Sequence, residues 1–323
     1  MNAKNKGSIL ILTLWIMAIL SLLAINIAGS MSYELYITGR FIDSIKSFQI
    51  LQAGIRKAAL LTRIDDDTAD SLKDIWSNNP KEFKKIQVGE GYLTISRKNS
   101  GETEDIVYGL IDESRKLNIN TASKEILKSV DGLEEIHVHS IIDWRDEDDL
   151  SLPMGAENSY YESLPNPYKC KNSPFESLDE LLLVRGFSPE LLSKVKDKLT
   201  VFSSGQININ TCTFETLKSI GLDDNTIQIV IDYRNGNDAE EGTEDDRIFT
   251  NPKLILSELL TEYQLSEGES AQITGIIDKN ILCANTEYFQ MNIEVELNKE
   301  ITNNAYIIFN RKNGEIVYWD EEY

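Results

Sequence analysis

Ser8–Gly29 reads SILILTLWIMAILSLLAINIAG, and no charged side chain occurs between Lys6 and Glu34. About twenty apolar residues at roughly 1.5 Å each match a hydrocarbon core of about 30 Å. A single segment can cross a bilayer only as a helix, because every backbone polar group must then be satisfied internally. The leader before it, MNAKNKG, carries Lys4 and Lys6. Positive charge on that short side holds it in the cytoplasm, so the rest of the chain is expected outside. A secretory signal peptide would have a shorter apolar run and a small-x-small cleavage site; a plain signal anchor stays open as an alternative.

The helical period continues beyond Gly29. Ile37, Phe41, Ile45, Phe48, Leu51, Ile55 and Ala58 recur every three or four residues, with Arg40, Asp43, Lys46 and Gln49 on the other faces. This predicts one helix of about fifty residues, half in the membrane and half packed on a domain; two helices broken at Gly29-Ser30 are the alternative. Asp65-Asp66-Asp67 reads as its stop. A second helical piece is expected over Asp70–Trp76, closed by Asn78-Asn79-Pro80. The period then changes to two. Strands are expected at Lys85–Val88, Tyr92–Arg97 and Asp105–Ile111, with turns at Gly89-Glu90-Gly91 and Asn99-Ser100-Gly101. Phe289–Leu297, Ala305–Arg311 and Glu315–Trp319 read likewise, with turns at Asn303-Asn304 and Lys312-Asn313-Gly314. Strands at both ends and helical pattern between them describe a sheet domain interrupted by a helical insertion.

The insertion repeats itself. Leu117-Asn118-Ile119-Asn120-Thr121-Ala122-Ser123 followed by EILKSV matches Ile207-Asn208-Ile209-Asn210-Thr211-Cys212-Thr213 followed by ETLKSI. Further on, Ile141-Ile142-Asp143-Trp144-Arg145 matches Val230-Ile231-Asp232-Tyr233-Arg234. Each unit reads as an extended segment, a hydroxyl cap, a helix, a turn and a helix. Two further helical pieces are expected over Ser177–Leu199, the first ended by Gly186 and the second begun by Pro189. The pattern resembles helix-hairpin-helix modules, many of which bind DNA. Here the hairpins carry Glu134-Glu135 and Asp223-Asp224, which repel phosphate, and the chain of 323 residues has net charge −21. Both features argue against nucleic acid and for a helix-pair scaffold.

Hydrophobic residues make up 41 %, ample for two domains. Cys170, Cys212 and Cys283 lack metal-ligand spacing and allow at most one disulfide. His137 and His139 suit a solvated helix face better than zinc. The densest acids are Asp143, Asp146, Glu147, Asp148 and Asp149, followed by Gly155-Ala156-Glu157. Hard oxygen ligands in a flexible loop suit Ca²⁺, although the spacing is not that of an EF-hand; an exposed acidic loop is the equal alternative. A second acidic loop, Asn237–Asp246, follows the second unit and reads as a solvated charge run, with a second metal site as the alternative. No nucleophile elbow, phosphate loop or zinc-protease motif is present, so no enzyme is expected.

Lys6-Gly7-Ser8, a basic residue and a glycine directly before the apolar run, resembles the leader of the type IV pilin superfamily. A prepilin peptidase cuts such leaders after the glycine, which implies a boundary between Gly7 and Ser8. The usual glutamate at the fifth mature position is replaced by Leu12, as in the K-type minor pseudopilins of type II secretion systems. The order D-W-x-D-x-D-D from Asp143, then G-A-E-x-x-Y-Y from Gly155, then Pro167-Tyr168, then N-x-P-F-x-S-L-x-E-L-x-L-V-R-G over Asn172–Gly186 is similar to that family. Cys170 and the low basicity of the leader depart from it. The resemblance implies Ca²⁺ held by Asp143, Asp146, Asp148 and Glu157, with Asp149 as an extra ligand. It implies a single-pass protein of the bacterial inner membrane with its bulk in the periplasm, at the tip of a pseudopilus beside the I- and J-type minor pseudopilins. A membrane-anchored helix-hairpin-helix DNA binder of a competence-like system is the alternative.

The expected fold is α+β: a long N-terminal pilin-like helix on an antiparallel sheet, interrupted by a large all-α insertion. The expected boundaries are a leader at 1–7, a membrane helix at 8–29, a pilin-like domain from 30–112 and 276–323, and the insertion at 113–275.

Overall fold

The computed structural model describes residues 5–64, 68–98 and 106–322. The expected stop at Asp65-Asp66-Asp67, the turn at Asn99-Ser100-Gly101 and leader residues 1–4 lie outside the described residues. Helix α1 (Asn5–Ile64) runs unbroken for 60 residues, about 90 Å, so there is no break at Gly29-Ser30. Among the described residues it is the one helix long and apolar enough to cross a membrane. No described residue of α1 is buried before Ser47. The expected stripe is therefore buried only in its second half. Leu51, Ile55 and Ala58 enter the core, whereas Ile37, Phe41, Ile45 and Phe48 stay exposed. The sheet reaches no further along the helix than a turn where Asn298 donates to Asp43 (3.3 Å).

No helix forms over Asp70–Trp76; the segment is a run of turns. Its groups are committed to the sheet instead. Buried Asp70 pairs with Arg311 (2.7 and 2.9 Å) and accepts from the Thr286 N–H (2.6 Å), while the Trp76 carbonyl accepts from the Leu110 N–H (2.8 Å). Asn79-Pro80 begins an element and does not close one: Pro80 is the first residue of α2 (Pro80–Phe83), where its missing N–H is not needed. Then come β1 (Ile86–Val88), β2 (Gly91–Ile95), β3 (Arg97–Lys98), β4 (Ile106–Val107) and β5 (Ile111–Asp112).

The insertion follows a 3₁₀ turn at Glu113–Arg115. Its first unit contains β6 (Leu117–Asn118), α3 (Lys124–Lys128), α4 (Glu135–Arg145), α5 (Asn158–Tyr161), a 3₁₀ turn at Leu178–Leu183, α6 (Pro189–Val195) and β7 (Leu199–Thr200). Its second contains β8 (Ile207–Asn208), α7 (Phe214–Ser219), α8 (Asp224–Arg234), a 3₁₀ turn at Pro252–Leu254, α9 (Ile255–Glu262), α10 (Glu267–Asp278) and β9 (Leu282–Cys283). β6 pairs in parallel with β7, and β8 with β9. Each unit thus closes on its own first strand.

The repeated residues do repeated work. Asn120 brackets the backbone of Phe175, and Asn210 brackets that of Phe249, each giving and accepting one hydrogen bond. Ser123 caps α3 and Thr213 caps α7. Arg145 donates to the carbonyls of Ile119 and Ala122, and Arg234 to those of Ile209 and Cys212. The repeat is longer than the sequence match, extending past Phe175 and Phe249 to β7 and β9.

The chain returns as β10 (Tyr288–Leu297), β11 (Glu300–Asn310) and β12 (Ile316–Glu322). The sheet has the order β1-β2-β10-β11-β12, all antiparallel, with β5 also on β10. The β10–β11 turn falls at Asn298-Lys299, not Asn303-Asn304. Both turn residues have positive φ (55° and 69°), as a twist-matched two-residue hairpin requires. Alternate β10 residues Phe289, Met291, Ile293, Val295 and Leu297 pack with the buried half of α1, Leu93, Ile95 and Phe309. Gly54 permits the close approach, since a Cβ there would lie 2.3 Å from Ile293 Cδ1. A second core, from Leu117 to Leu282, fills the insertion.

Two adjacent acids hold the insertion to the sheet. Asp112 accepts from the Ser114 N–H (2.6 Å), Asn208 Nδ2 (2.9 Å) and Thr211 Oγ1 (2.6 Å). Glu113 accepts from Lys116 and from Thr200 Oγ1. One acid therefore meets the second unit and the other meets the end of the first.

Candidate metal centre

Helix α4 ends at Arg145, and Asp146 leaves it in extended conformation while its N–H still reaches the Ile142 carbonyl. The following loop brings Asp146, Asp148 and Glu157 together, one carboxylate oxygen of each lying within 4.8 Å of the others. Glu157 is 2 % exposed, Asp146 half-buried and Asp148 exposed. Four acceptor oxygens in this region are buried without a nitrogen or oxygen donor: Asp146 Oδ1, both oxygens of Glu157, and Asn172 Oδ1. Uncompensated acceptors of this kind are what a hard cation satisfies.

Burial, then the charges of Asp143 and Asp146, push the Glu157 carboxyl up to about 7. Burial, then Asp148 and Asp143, raise Asp146. The Cys170 thiol lies beside Glu157 and is itself pushed up to about 12, chiefly by burial.

Asp143 and Asp149 stand outside the three-carboxylate group. Asp143 is fully buried and accepts from the Leu152 N–H (3.1 Å) and Ser151 Oγ (3.3 Å). Gly155 lies against it so closely that a Cβ would meet Asp143 Oδ2 at 1.9 Å. Asp149 accepts from Asn158 Nδ2 (2.6 Å) and Asn172 Nδ2 (3.2 Å). Both acids shape the loop. Asn172, at φ 46°, also donates to the Asp148 carbonyl (2.9 Å). Its unpaired Oδ1 makes it a neutral candidate ligand that charge counting passes over. Arg185 fixes the far side, donating to the Gly155 carbonyl (2.9 Å) and lying over the Tyr160 ring.

His137 and His139 are buried, not on a solvated face. The Glu134 N–H donates to His137 Nδ1, and the Met154 N–H to His139 Nδ1, so both rings serve packing and capping. All three cysteines are free thiols. In the second acidic loop Asp238, Asp245 and Asp246 are satisfied locally. Asp245 accepts from the Asn237 N–H (2.6 Å), which leads in holding it down at about 2, and Asp246 accepts from the Gly242 N–H (2.8 Å). The hairpin acids are also engaged: Asp223 caps α8, and Asp131 pairs with Lys198.

The family profile described as Type II secretion system (T2SS), protein K matches residues 114–204. Type II secretion system protein K of Aeromonas hydrophila is 27 % identical over 248 residues, covering 68 % of this chain and 74 % of the relative. The protein K of Klebsiella pneumoniae is 24 % identical over 229 residues, covering 65 % and 68 %. The fold is similar to a chain in the crystal structure of the GspK-GspI-GspJ complex from the enterotoxigenic Escherichia coli Type 2 Secretion System. The TM-score is 0.59 at 16 % identity, over 88 % of this chain and 97 % of that one. A long apolar helix running onto an antiparallel sheet with a helical insertion, joined to these matches, is similar to the minor pseudopilins of type II secretion. Within that class the matches are to the protein K family, to which this chain is similar.

Proposed function

We infer that this chain is a non-enzymatic subunit at the tip of a type II secretion pseudopilus, beside I- and J-type minor pseudopilins. Its bulk lies in the periplasm and α1 spans the inner membrane. The observation that carries this reading is the length of uncovered apolar helix. Large apolar side chains stay exposed from Ile9 to Phe48, about 60 Å of helix, whereas a bilayer core covers about 30 Å. Tyr36, Ile37, Phe41, Ile42 and Ile45 therefore need protein partners. Parallel N-terminal helices of neighbouring subunits fit that need. Leu12, in place of an acid, suits a subunit with nothing stacked above it, and the insertion adds bulk that would obstruct stacking. In this reading a divalent cation, Ca²⁺ by its oxygen donors, binds through Asp146, Asp148 and Glu157.

The test is co-purification of the full-length chain with its I- and J-type companions from membranes. Phe41→Asp and Ile45→Asp are expected to reduce recovery of the companions while the chain stays folded. Undiminished recovery would remove this role from the exposed helix.

N-terminal sequencing of the membrane-extracted protein is expected to begin at Ser8, after removal of Gly7 and all before it. An intact leader, or a start beyond Gly29, would reject the prepilin-type route. The full-length protein in detergent is also expected to leave duplex DNA unshifted at physiological salt, because the acids at both hairpins repel phosphate. Salt-sensitive micromolar retardation would favour the competence-type alternative.

A further inference from the structure

We propose that the cleft between the two units of the insertion binds a carboxylate through Thr121 and Asn118. Each unit is touched by the segment that leads into the other. Residues 112–115 lead into the first unit and meet the second. There Asp112 Oδ2 accepts from Asn208 Nδ2 (2.9 Å) and Thr211 Oγ1 (2.6 Å), and the Arg115 carbonyl accepts from Thr216 Oγ1 (3.1 Å). Residues 203–206 lead into the second unit and meet the first. There the Ser203 carbonyl accepts from Asn118 Nδ2 (2.7 Å), and Gly205 lies against Thr121, whose Oγ1 would be 2.4 Å from a Cβ at that glycine.

By the repeat, Asn118 corresponds to Asn208, Thr121 to Thr211 and Ile126 to Thr216. The second unit therefore shows what this asparagine and threonine receive together: a carboxylate, held by both. The first unit presents the same pair without the acid. No Asp or Glu occurs between Asp197 and Glu215, so the segment leading into the second unit brings none. Thr121 Oγ1 makes no hydrogen bond among the described residues. Asn118 Nδ2 has only a 3.3 Å contact with Ser203 Oγ for its second hydrogen. Gly205 stands at the position that corresponds to Arg115, and a cleft of about 450 Å³ stays open beside it.

That volume is within the range of small-ligand pockets. Asn118, Thr121, Ser204 and Gln206 supply a polar wall, Ile126 and Ile281 an apolar one, and no charged side chain lines the cleft. An ionised carboxyl group is acceptor-only, and its bonds from hydroxyl and amide donors are stronger than those between neutral groups. With no lysine or arginine in the lining, a multiply charged phosphate would find nothing to neutralise it. The ligand class is a singly charged carboxylate on a short aliphatic stem, borne by a free acid or by the Asp or Glu side chain of a partner protein.

The full-length protein in detergent, freed of metal ions on a chelating resin, is titrated by calorimetry with pentanoate and, separately, with the peptide acetyl-Ala-Asp-Ala-amide. Pentanamide and acetyl-Ala-Asn-Ala-amide keep the shapes without the charge and serve as references. Saturable one-to-one binding of at least one acid, about tenfold or more tighter than its amide, is expected. Pentanoate alone identifies a free acid; the peptide alone identifies an acidic side chain; both together identify the carboxyl group as sufficient. Thr121→Val, at an exposed position, should weaken binding about tenfold by removing the hydroxyl donor. Ser204→Asp, also exposed, places an acid on the segment itself and should weaken binding by a similar factor through like charge. A cleft that is only a seam between the units would bind neither acid, or would bind acid and amide alike. Either result overturns the proposal, as does acid binding that Thr121→Val leaves unchanged.

Discussion

Calcium added to the full-length protein in detergent raises its unfolding midpoint, a chelator lowers it, and Glu157→Gln abolishes most of the difference. This is the expected result if the loop after α4 holds a cation. Both oxygens of Glu157, Asp146 Oδ1 and Asn172 Oδ1 are buried without nitrogen or oxygen donors, and the three carboxylates lie close enough to share one ion. An extracellular-type affinity of about 10⁻⁴–10⁻³ M would give about 0.4–1.4 kcal/mol at about 1 mM calcium by mass action. The metal-free protein should carry its own signature in pH. Glu157 is pushed up to about 7 when folded, above its ordinary range of about 4.3. The folded state therefore holds a proton that the unfolded chain has lost. The stability so conferred is present below about pH 4.3 and is lost as pH rises through 7, on the order of 3 kcal/mol in all. The chelated protein should thus be more stable at mildly acid pH than above neutrality, and calcium should reduce that trend. Equal midpoints with calcium and chelator at neutral pH would leave only a solvated loop. Stabilisation untouched by Glu157→Gln or Asp146→Ala would place the ion elsewhere.

Replacing Arg311 by Met destabilises the sheet domain by about 3–5 kcal/mol, the range for stranding one member of a buried ion pair. Asp70 is 1 % exposed and its partner 7 %, at 2.7 and 2.9 Å. Burial pushes Asp70 up to about 7, opposed by the Thr286 N–H and Arg311. Without the arginine the carboxylate takes up a proton or admits water. Denaturation followed by the fluorescence of Trp76, buried against Phe289, reads the effect. The double variant Asp70→Asn with Arg311→Met should recover part of the loss, because no buried charge remains. A single-variant loss below about 1 kcal/mol would show that the pair is dispensable.

The membrane-length part of the long helix was legible because no charge interrupts Gly7 to Tyr33. How much of it the chain itself covers was not, since periodicity marks an apolar face without saying what meets it. Asp70–Trp76 misled for a related reason. Its spacing is helical, yet a buried partner 241 positions away in the chain decides its conformation. Asn303-Asn304 looked like the turn by composition; the register placed it at Asn298-Lys299, where two residues tolerate positive φ. The repeat was visible in its first half, where spacing is kept. Its second half, from Phe175 and Phe249, was hidden by intervening loops of unequal length. Within the acidic loop, residue order could not separate Asp143 from Asp146. The difference arises from where α4 stops, which leaves Asp143 on the helix and turned under Gly155.

Asp112 and Phe289 are directly opposed in the β5–β10 ladder. Everything between them, two repeat units and the carboxylate loop, leaves and rejoins the sheet at one cross-strand pair. Topologically the insertion is an oversized hairpin loop. Its size is no burden on the register of the sheet, because ring-closure entropy grows only with the logarithm of length. A lineage could enlarge, trim or exchange this head while the shaft beneath it kept the same alignment with α1.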